Sequence, residues 1–516
     1  MSILFILIPS IIIGITTYFI WIWTYWRRRG IPGPMGIPFF GNTNELIDHN
    51  NPPHKQIQKW TQEFGSVYGI TEGLQKTLVI SDTDLINEVF VKQFDNFYGR
   101  KLNPLQGDPD KDKRIHLFAS QGYRWKRLRT ISSPTFSNNS LRKIHSTVEE
   151  CALELMRHIE QKTAGGKEID MLLFYQEFTF DVIERIAMGQ TESQMFNNPF
   201  IEDVKAIFGD RLTNVIKWST VFPFYATIFK ALAKQFSGIV KSPAFAIFTR
   251  LEKIIEKRMK QREEDEKNGI EIGEPADFID LFLDARADVD MLEEEKSQFT
   301  KMNIKVDRQL TVDEIIGQCF VFLLAGFDTT ALTLSYTTFL LATNPRTMKK
   351  MQEEIDRECP DPSVSFDQLF KLKYLECAMK EALRMYPIAQ IANNRKCMKA
   401  TKIGKYEIEE GVNVQADSWT LHYDKKIWGE DADEFKPERW EHGDEQFYKN
   451  GWLPFGLGPR QCIGMRLAYM EEKLLLSHIL RKYSFETTHN TQIPLKLIGR
   501  STTGPESVVV KLVPRY

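Results

Sequence analysis

"FGLGPRQCIG", residues 455–464, sets one cysteine among three glycines, a proline and an arginine, just before a run with helical spacing. Glycines in such a loop let the backbone approach a bound group closely. Arg460 lies two residues before Cys462, and a helix start is expected near Gly464. A cation and the N–H groups of a helix end both favour negative charge on sulfur, so Cys462 is expected as a thiolate, which serves as nucleophile or metal ligand. A nucleophilic cysteine needs a histidine base, and His422 in "LHYDKKIWG" has no motif around it that supports that role. A single cysteine ligand in a glycine loop suits a large planar metallocofactor, haem, whose iron takes an axial thiolate.

The rest of the chain sets limits on that reading. Lysine plus arginine number 67 against 69 acids, a net charge of -2, so no global field calls for nucleic acid. Hydrophobic residues make up 42% and phenylalanines number 35, enough for a large core with an apolar pocket. The six cysteines form no C-x-x-C pair and no zinc-spaced cluster with histidine. Apart from Cys462 they read as small buried hydrophobes of a reducing compartment.

From Ile3 to Trp26 no residue is charged, and Arg27, Arg28 and Arg29 follow. At helical rise this run spans roughly 36 Å, enough to cross a bilayer with some tilt. Basic residues after the span predict a single-pass anchor whose remaining chain faces the cytosol, with Trp21, Trp23 and Trp26 at the interface. The sequon at Asn138 is then a chance match. Residues 1–29 are thus expected to form the anchor with its basic stop, 30–41 ("GIPGPMGIP" and the residues after it) a hinge, and 42–516 the catalytic domain. The aromatic segment from Trp218 to Leu232, broken by Pro223, is either core or a surface dipping into the same membrane. The charge-rich region from Arg258 to Asp307 reads as solvated helix ends and loops.

Helical periodicity dominates from Asp84 to about Lys260, and "TLVIS", "YEIEEGVNVQ" and "VVVKLV" read as strands, so the fold class is mainly α with small β-sheets. Thr311-x-x-Glu314 is a capping box that predicts a helix of around thirty residues ending before Asn344-Pro345. Its middle, "AGFDTT", allows two readings: Gly326 as a packing notch, or a local opening in which Asp328 and Thr329 handle a proton or water. In "LKYLECAMKEALRMYP", Pro387 ends a helix near Tyr386, and Glu381 and Arg384 share one face. They read as an ordinary surface pair or, with Arg439 of "FKPERW", as a buried structural clamp.

Taken together these stretches resemble the cytochrome P450 family. "FGLGPRQCIG" matches the haem signature F-x-x-G-x-R-x-C-x-G at every specified position, a coincidence on the order of 10⁻⁴ at average residue usage. "AGFDTT" is similar to the family's oxygen-activation motif, Glu381-x-x-Arg384 to its E-x-x-R pair, "PERW" to its P-E-R-F segment, and Trp125-x-x-x-Arg129 to its W-x-x-x-R. "IPGPMG" resembles the proline hinge of microsomal members, while "SPTF" and "EALRMYPIAQ" look most like the clan of broad-specificity drug oxidisers. The resemblance implies haem b on Cys462 in a P450 fold with an N-terminal transmembrane helix, in the endoplasmic reticulum membrane. It implies that Phe455 shields the sulfur and that Gly458 and Gly464 let the backbone near the porphyrin. Trp125, Arg129, Arg395 and Arg460 would hold the propionates, with Arg100 a weaker candidate. Asp328 and Thr329 would relay protons, and Phe322, Ala325, Ile388 and Ala389 would line the substrate pocket.

The reaction so implied inserts one atom of O2 into a lipophilic small molecule. Electrons would come from NADPH through a separate flavoprotein reductase, with cytochrome b5 as a further partner and membrane lipid around the anchor. Lys436, Arg439 and Arg466 are docking candidates, although Arg439 also belongs to the clamp. Two other readings stay open: a haem-thiolate isomerase or dehydratase that needs no reductase, and a non-enzymatic haem or gas-binding membrane protein.

Overall fold

The computed structural model describes residues 2–163, 166–209, 213–235, 243–270, 277–284, 310–441 and 450–516. Much of the charge-rich region, 271–276 and 285–307, therefore lies outside the described residues.

The long central helix runs Val312–Thr343, and its capping box forms: Glu314 N–H donates to Thr311 Oγ1 and Thr311 N–H to Glu314 Oε2, both at 3.2 Å. By length and composition it could cross a membrane, whereas the N-terminal helix counts there only as the shorter apolar stretch Leu7–Trp23, yet 67% of the central helix's most apolar window is buried in protein. It is therefore the core element. Its main neighbour is the helix Met171–Met188, where Tyr175 and Thr338 share a hydroxyl bond of 2.6 Å and Thr179 Oγ1 donates to Phe327 O at 2.7 Å. At Gly326 an added Cβ would lie 3.1 Å from Ile183 Cδ1, and the helix runs through without interruption, so the packing notch is what the geometry contains.

Around this core pack Asn138–Thr163, Pro345–Glu358, Lys373–Met385 and the helix that follows the cysteine loop, Met465–Lys482, with Gly464 at its N-cap. The helix Lys373–Met385 stops at Tyr386, as Pro387 requires. Eleven short strands form four sheets among the described residues. The largest has the order β1-β2-β7-β4 (Val67–Glu72, Gln75–Ile80, Asn413–Ala416, Asn394–Lys396), with β2 and β7 parallel. A second has the order β3-β11-β8 (Glu168–Asp170, Val509–Pro514, Tyr483–Glu486). Two pairs, β5-β6 (Thr401–Ile403, Tyr406–Ile408) and β9-β10 (Leu497–Ile498, Gly504–Pro505), complete the β content. All three runs expected as strands carry them. Helix dominates 84–260 as expected, apart from 94–121, which is built mainly of loops and short 3-10 turns.

The N-terminal helix, Ser2–Trp23, exposes Leu7, Ile8, Ile11, Ile12, Ile13, Ile15 and Ile20. The chain breaks at Thr24 and resumes as Tyr25–Arg28. Trp26 belongs to the body and not to an interfacial belt: it is buried, its Nε1 donates to Ile70 O at 2.8 Å, and its ring covers Gly69, where a Cβ would not fit. The proline and glycine segment is likewise packed, with Gly69 N–H donating to Pro32 O at 2.8 Å. Phe19 touches Phe39 and Phe222, and Phe40 touches Trp218. The N-terminal helix thus lies beside the two helices Thr213–Val221 and Pro223–Gln235, whose Trp218, Phe224, Ile228 and Leu232 are exposed. Pro223 opens the second of these helices, which is why the aromatic segment is broken there.

Candidate functional site

The cysteine loop, the central helix, the helix Gly122–Ser132 and the segment after Pro387 surround a cavity of about 250 Å3. Its walls include Trp125, Arg129, Phe322, Ala325, Thr329, Ile388, Ala389, Arg395, Phe455, Arg460, Cys462 and Gly464, residues named from sequence and here brought to one place. Ala325 is exposed in the middle of a buried helix because it faces this space.

Cys462 is the one cysteine that is not buried; the other five are. Its exposure is onto the cavity, and protein surrounds it on the other sides. Its backbone N–H donates to Phe455 O at 2.8 Å, which ties the two ends of the loop together. Phe455 in turn packs edge-on against Tyr469. Burial raises the thiol above its ordinary pKa, while the N–H groups of Gly464 and Met465 and the charges of Arg129 and Arg100 pull the other way. The expected forces are therefore present, but burial outweighs them. This corrects the expectation that the loop alone yields a thiolate: that form needs a cation on the sulfur as well.

Four arginines converge near the sulfur. Arg460 lies 4.7 Å over the Trp125 ring and donates to Ser120 O at 2.6 Å; Arg395 lies 4.3 Å over Phe90 and donates to Leu457 O at 2.9 Å. Arg100 lies 4.2 Å over Phe118 and donates to Ala392 O at 2.6 Å. The Nε atoms of Arg100, Arg395 and Arg460 are buried without a partner. Burial lowers the pKa of all four, and for Arg100, Arg395 and Arg460 mutual repulsion lowers it further; no carboxylate acts on any of them among the described residues. A cluster of unpaired buried cations is costly unless an anion joins it. A flat apolar group with two carboxylates on one edge and a Lewis-acidic centre for the sulfur fits these walls, and haem has all three features.

Two predicted residues sit elsewhere. Asp328 does not line the cavity; it is buried, and Thr502 Oγ1 donates to its Oδ2. Thr329 and Thr330 both line the cavity, whereas Asp328 is turned from it toward Thr502. Burial raises the Asp328 carboxyl to about 6, with Thr502 opposing. Thr329 stays on the cavity side with its hydroxyl donating to Ala325 O at 2.7 Å. Gly458 also lies off the cavity; at φ +73° its missing Cβ makes room for Phe90 O, which a Cβ would meet at 2.0 Å. Its requirement is loop packing and not approach to a cofactor.

Behind the loop, Glu381 and Arg384, both 0% exposed, pair through two bonds of 2.9 Å. Arg439 Nε donates to Glu381 Oε1 and Trp440 Nε1 to Oε2, each at 3.0 Å. Arg384 donates further to His422 O and Ala432 O at 2.7 Å. His422, held neutral by burial, bridges the clamp to the loop: Leu453 N–H donates to its Nε2 at 2.8 Å, and its Nδ1 donates to Arg384 O at 3.0 Å. The pair is thus a buried structural clamp and not a surface contact.

Sequence reasoning missed Glu472, a buried acid in the cavity wall, because "EEK" reads as a solvated face. It also missed Asn393 and Thr333, which line the cavity without a motif to mark them.

The sequence model described as Cytochrome P450 matches residues 31–512. Two Caenorhabditis elegans proteins, named "Putative cytochrome P450 CYP13A5" and "Putative cytochrome P450 CYP13A4", are each 60% identical to this chain over the full length of both sequences. A third, "Putative cytochrome P450 CYP13A10", is 58% identical over the same extent. A family match across the chain and a cavity shaped and charged for its cofactor agree: the chain belongs to the cytochrome P450 family, an oxidoreductase of the monooxygenase kind that binds haem b.

Proposed function

We propose that this protein is a membrane-anchored monooxygenase of lipophilic small molecules, with Cys462 as the iron ligand and electrons from NADPH by way of a flavoprotein reductase. The observation that carries the reading is the cavity itself: an apolar chamber with one thiol and, beside it, four arginines that have no acid to pair with.

Bound haem supplies the chemistry of activating O2 and oxidising an unactivated carbon, and the chain's residues govern how. Arg100, Arg129, Arg395 and Arg460 grip the propionates, and Trp125 backs Arg460. The Gly464 and Met465 N–H groups temper the charge on the Cys462 sulfur, and Phe455 covers one side of the loop. Phe322, Ala325, Ile388 and Ala389 orient an apolar substrate and exclude water. Thr329 Oγ1 holds a proton at the cavity face of the central helix. Asp328 joins that relay only when its bond to Thr502 opens.

The helix Ser2–Trp23 spans the endoplasmic reticulum membrane once, with the body on the cytosolic side, and the exposed Trp218, Phe224, Ile228 and Leu232 rest on the same lipid. Arg466 is exposed to a reductase or to cytochrome b5; Lys436 is exposed but pairs with Asp431 at 2.8 Å, and Arg439 is committed to the clamp. The test is reconstitution of the full chain with reductase in vesicles: substrate-dependent NADPH and O2 consumption with hydroxylated product supports the reading. Turnover of a hydroperoxide without NADPH, or binding of haem without any turnover, would replace it with the isomerase or the carrier.

A further inference from the structure

The cavity that carries four cations also carries one acid. Glu472 lies on the helix Met465–Lys482 beyond Cys462, is 1% exposed and lines the cavity, and the one side chain that approaches its carboxyl as a donor is Thr333, short of a full hydrogen bond. An ionised carboxyl so placed is costly, which makes an idle role implausible.

Its surroundings locate it. The charged group that acts on it is Glu471, its buried neighbour on the same helix, and Thr333 of the central helix is the one side chain that eases its charge. Asn138–Thr163, Pro345–Glu358, Lys373–Met385 and β8 also pack on its helix and present no charged group that acts on it. The arginines act on one another and on Cys462, and none of them acts on Glu472. Glu472 and Thr333 thus share a part of the cavity wall on which the arginines do not act.

We infer that Glu472 lies beside the bound haem and takes up a proton when that haem is reduced. This rests on the arginine-bound haem proposed above. One electron from the redox partner removes one unit of positive charge from the cofactor; a solvent proton then adds to a Glu472 carboxylate oxygen and forms an O–H bond. The coupling is reciprocal: ionised Glu472 favours the oxidised cofactor and lowers its reduction potential. Burial and the repulsion of Glu471 push the carboxyl well above its usual range.

The experiment is an equilibrium redox titration of the full-length, haem-loaded protein from mildly acid to mildly alkaline pH, for the wild type, Glu472→Gln and Glu472→Met. Each protein is first checked for the thiolate-type carbon monoxide spectrum, so that failure of the haem reading is seen separately. The wild-type potential is expected to fall more steeply with pH than that of either variant, with the gap opening on the alkaline side. Equal slopes in the wild type and Glu472→Gln overturn the inference, whether or not Glu472→Met folds.

Discussion

Two buried charge clusters lie on either side of the cysteine loop, and they are built on opposite rules. In the clamp, Glu381 is met by Arg384, Arg439 and Trp440, and the spare donors of the arginines end on backbone carbonyls. In the cavity, Arg100, Arg395 and Arg460 meet aromatic faces and carbonyls but no carboxylate, and Glu472 has only Thr333 beside it. A satisfied cluster fixes structure, while an unsatisfied one is held in place by the fold to receive a charged guest.

That contrast fails most visibly if the clamp is dispensable. Glu381→Ala leaves Arg384 buried without its acid, while Arg439 keeps Asp431, and should cost about 3–5 kcal/mol, enough to abolish most folded protein. A variant with wild-type thermal stability would break the distinction. In the cavity the effect should invert. Arg460→Ala removes one member of a repelling set, so the haem-free protein should lose far less stability than Glu381→Ala does. Haem retention should fall about ten- to a hundredfold, the worth of one charge-assisted hydrogen bond, as read by haem titration. Equal losses of stability in the two variants would contradict the account.

Thr329→Ala sharpens the comparison within the central helix. It should keep haem and fold yet divert electrons to hydrogen peroxide severalfold, measured as peroxide formed per NADPH. Asp328→Asn should do so less, since that carboxyl is turned to Thr502. The smallest effect is in acid. Burial opposes ionisation of Glu376, but Lys473 and Lys380 overcome it and hold the carboxyl at about 2. Its folded value lies below the ordinary 4.5, so its contribution is present above pH 4.5 and is lost as pH falls toward 2. Asp328, raised to about 6, has the opposite sign and costs stability as pH rises from 3.8 to 6. Glu376→Gln should flatten the acid limb of the stability profile, and an unchanged limb would remove Glu376 from it.

How much of this was legible depends on how local each signal is. The cysteine loop, the capping box at Thr311 and the helix stop at Pro387 are written within a few residues, and the structure contains the elements they imply. The pairing of Glu381 with Arg384 was visible as spacing; its burial was not, because burial is decided by Trp440 and the segment 428–439 folding over it. Reading "DTT" as a unit failed because its two threonines line the cavity while Asp328 is turned to Thr502, a contact that no local pattern reveals. Gly458 was misread because a glycine requirement does not say which neighbour imposes it, here Phe90. Glu472 was invisible because two adjacent acids followed by a lysine look like solvent-facing charge until the tertiary fold encloses them.

The central claim is that Cys462 is the thiolate beneath the cofactor, and the most direct measurement is the visible spectrum of the reduced carbon monoxide complex of the full-length protein and of Cys462→Ser. The wild type should show the thiolate-shifted Soret band at about 450 nm, and Cys462→Ser should lose it. A folded, haem-loaded Cys462→Ser that keeps that band would contradict the account, because another group would then hold the iron.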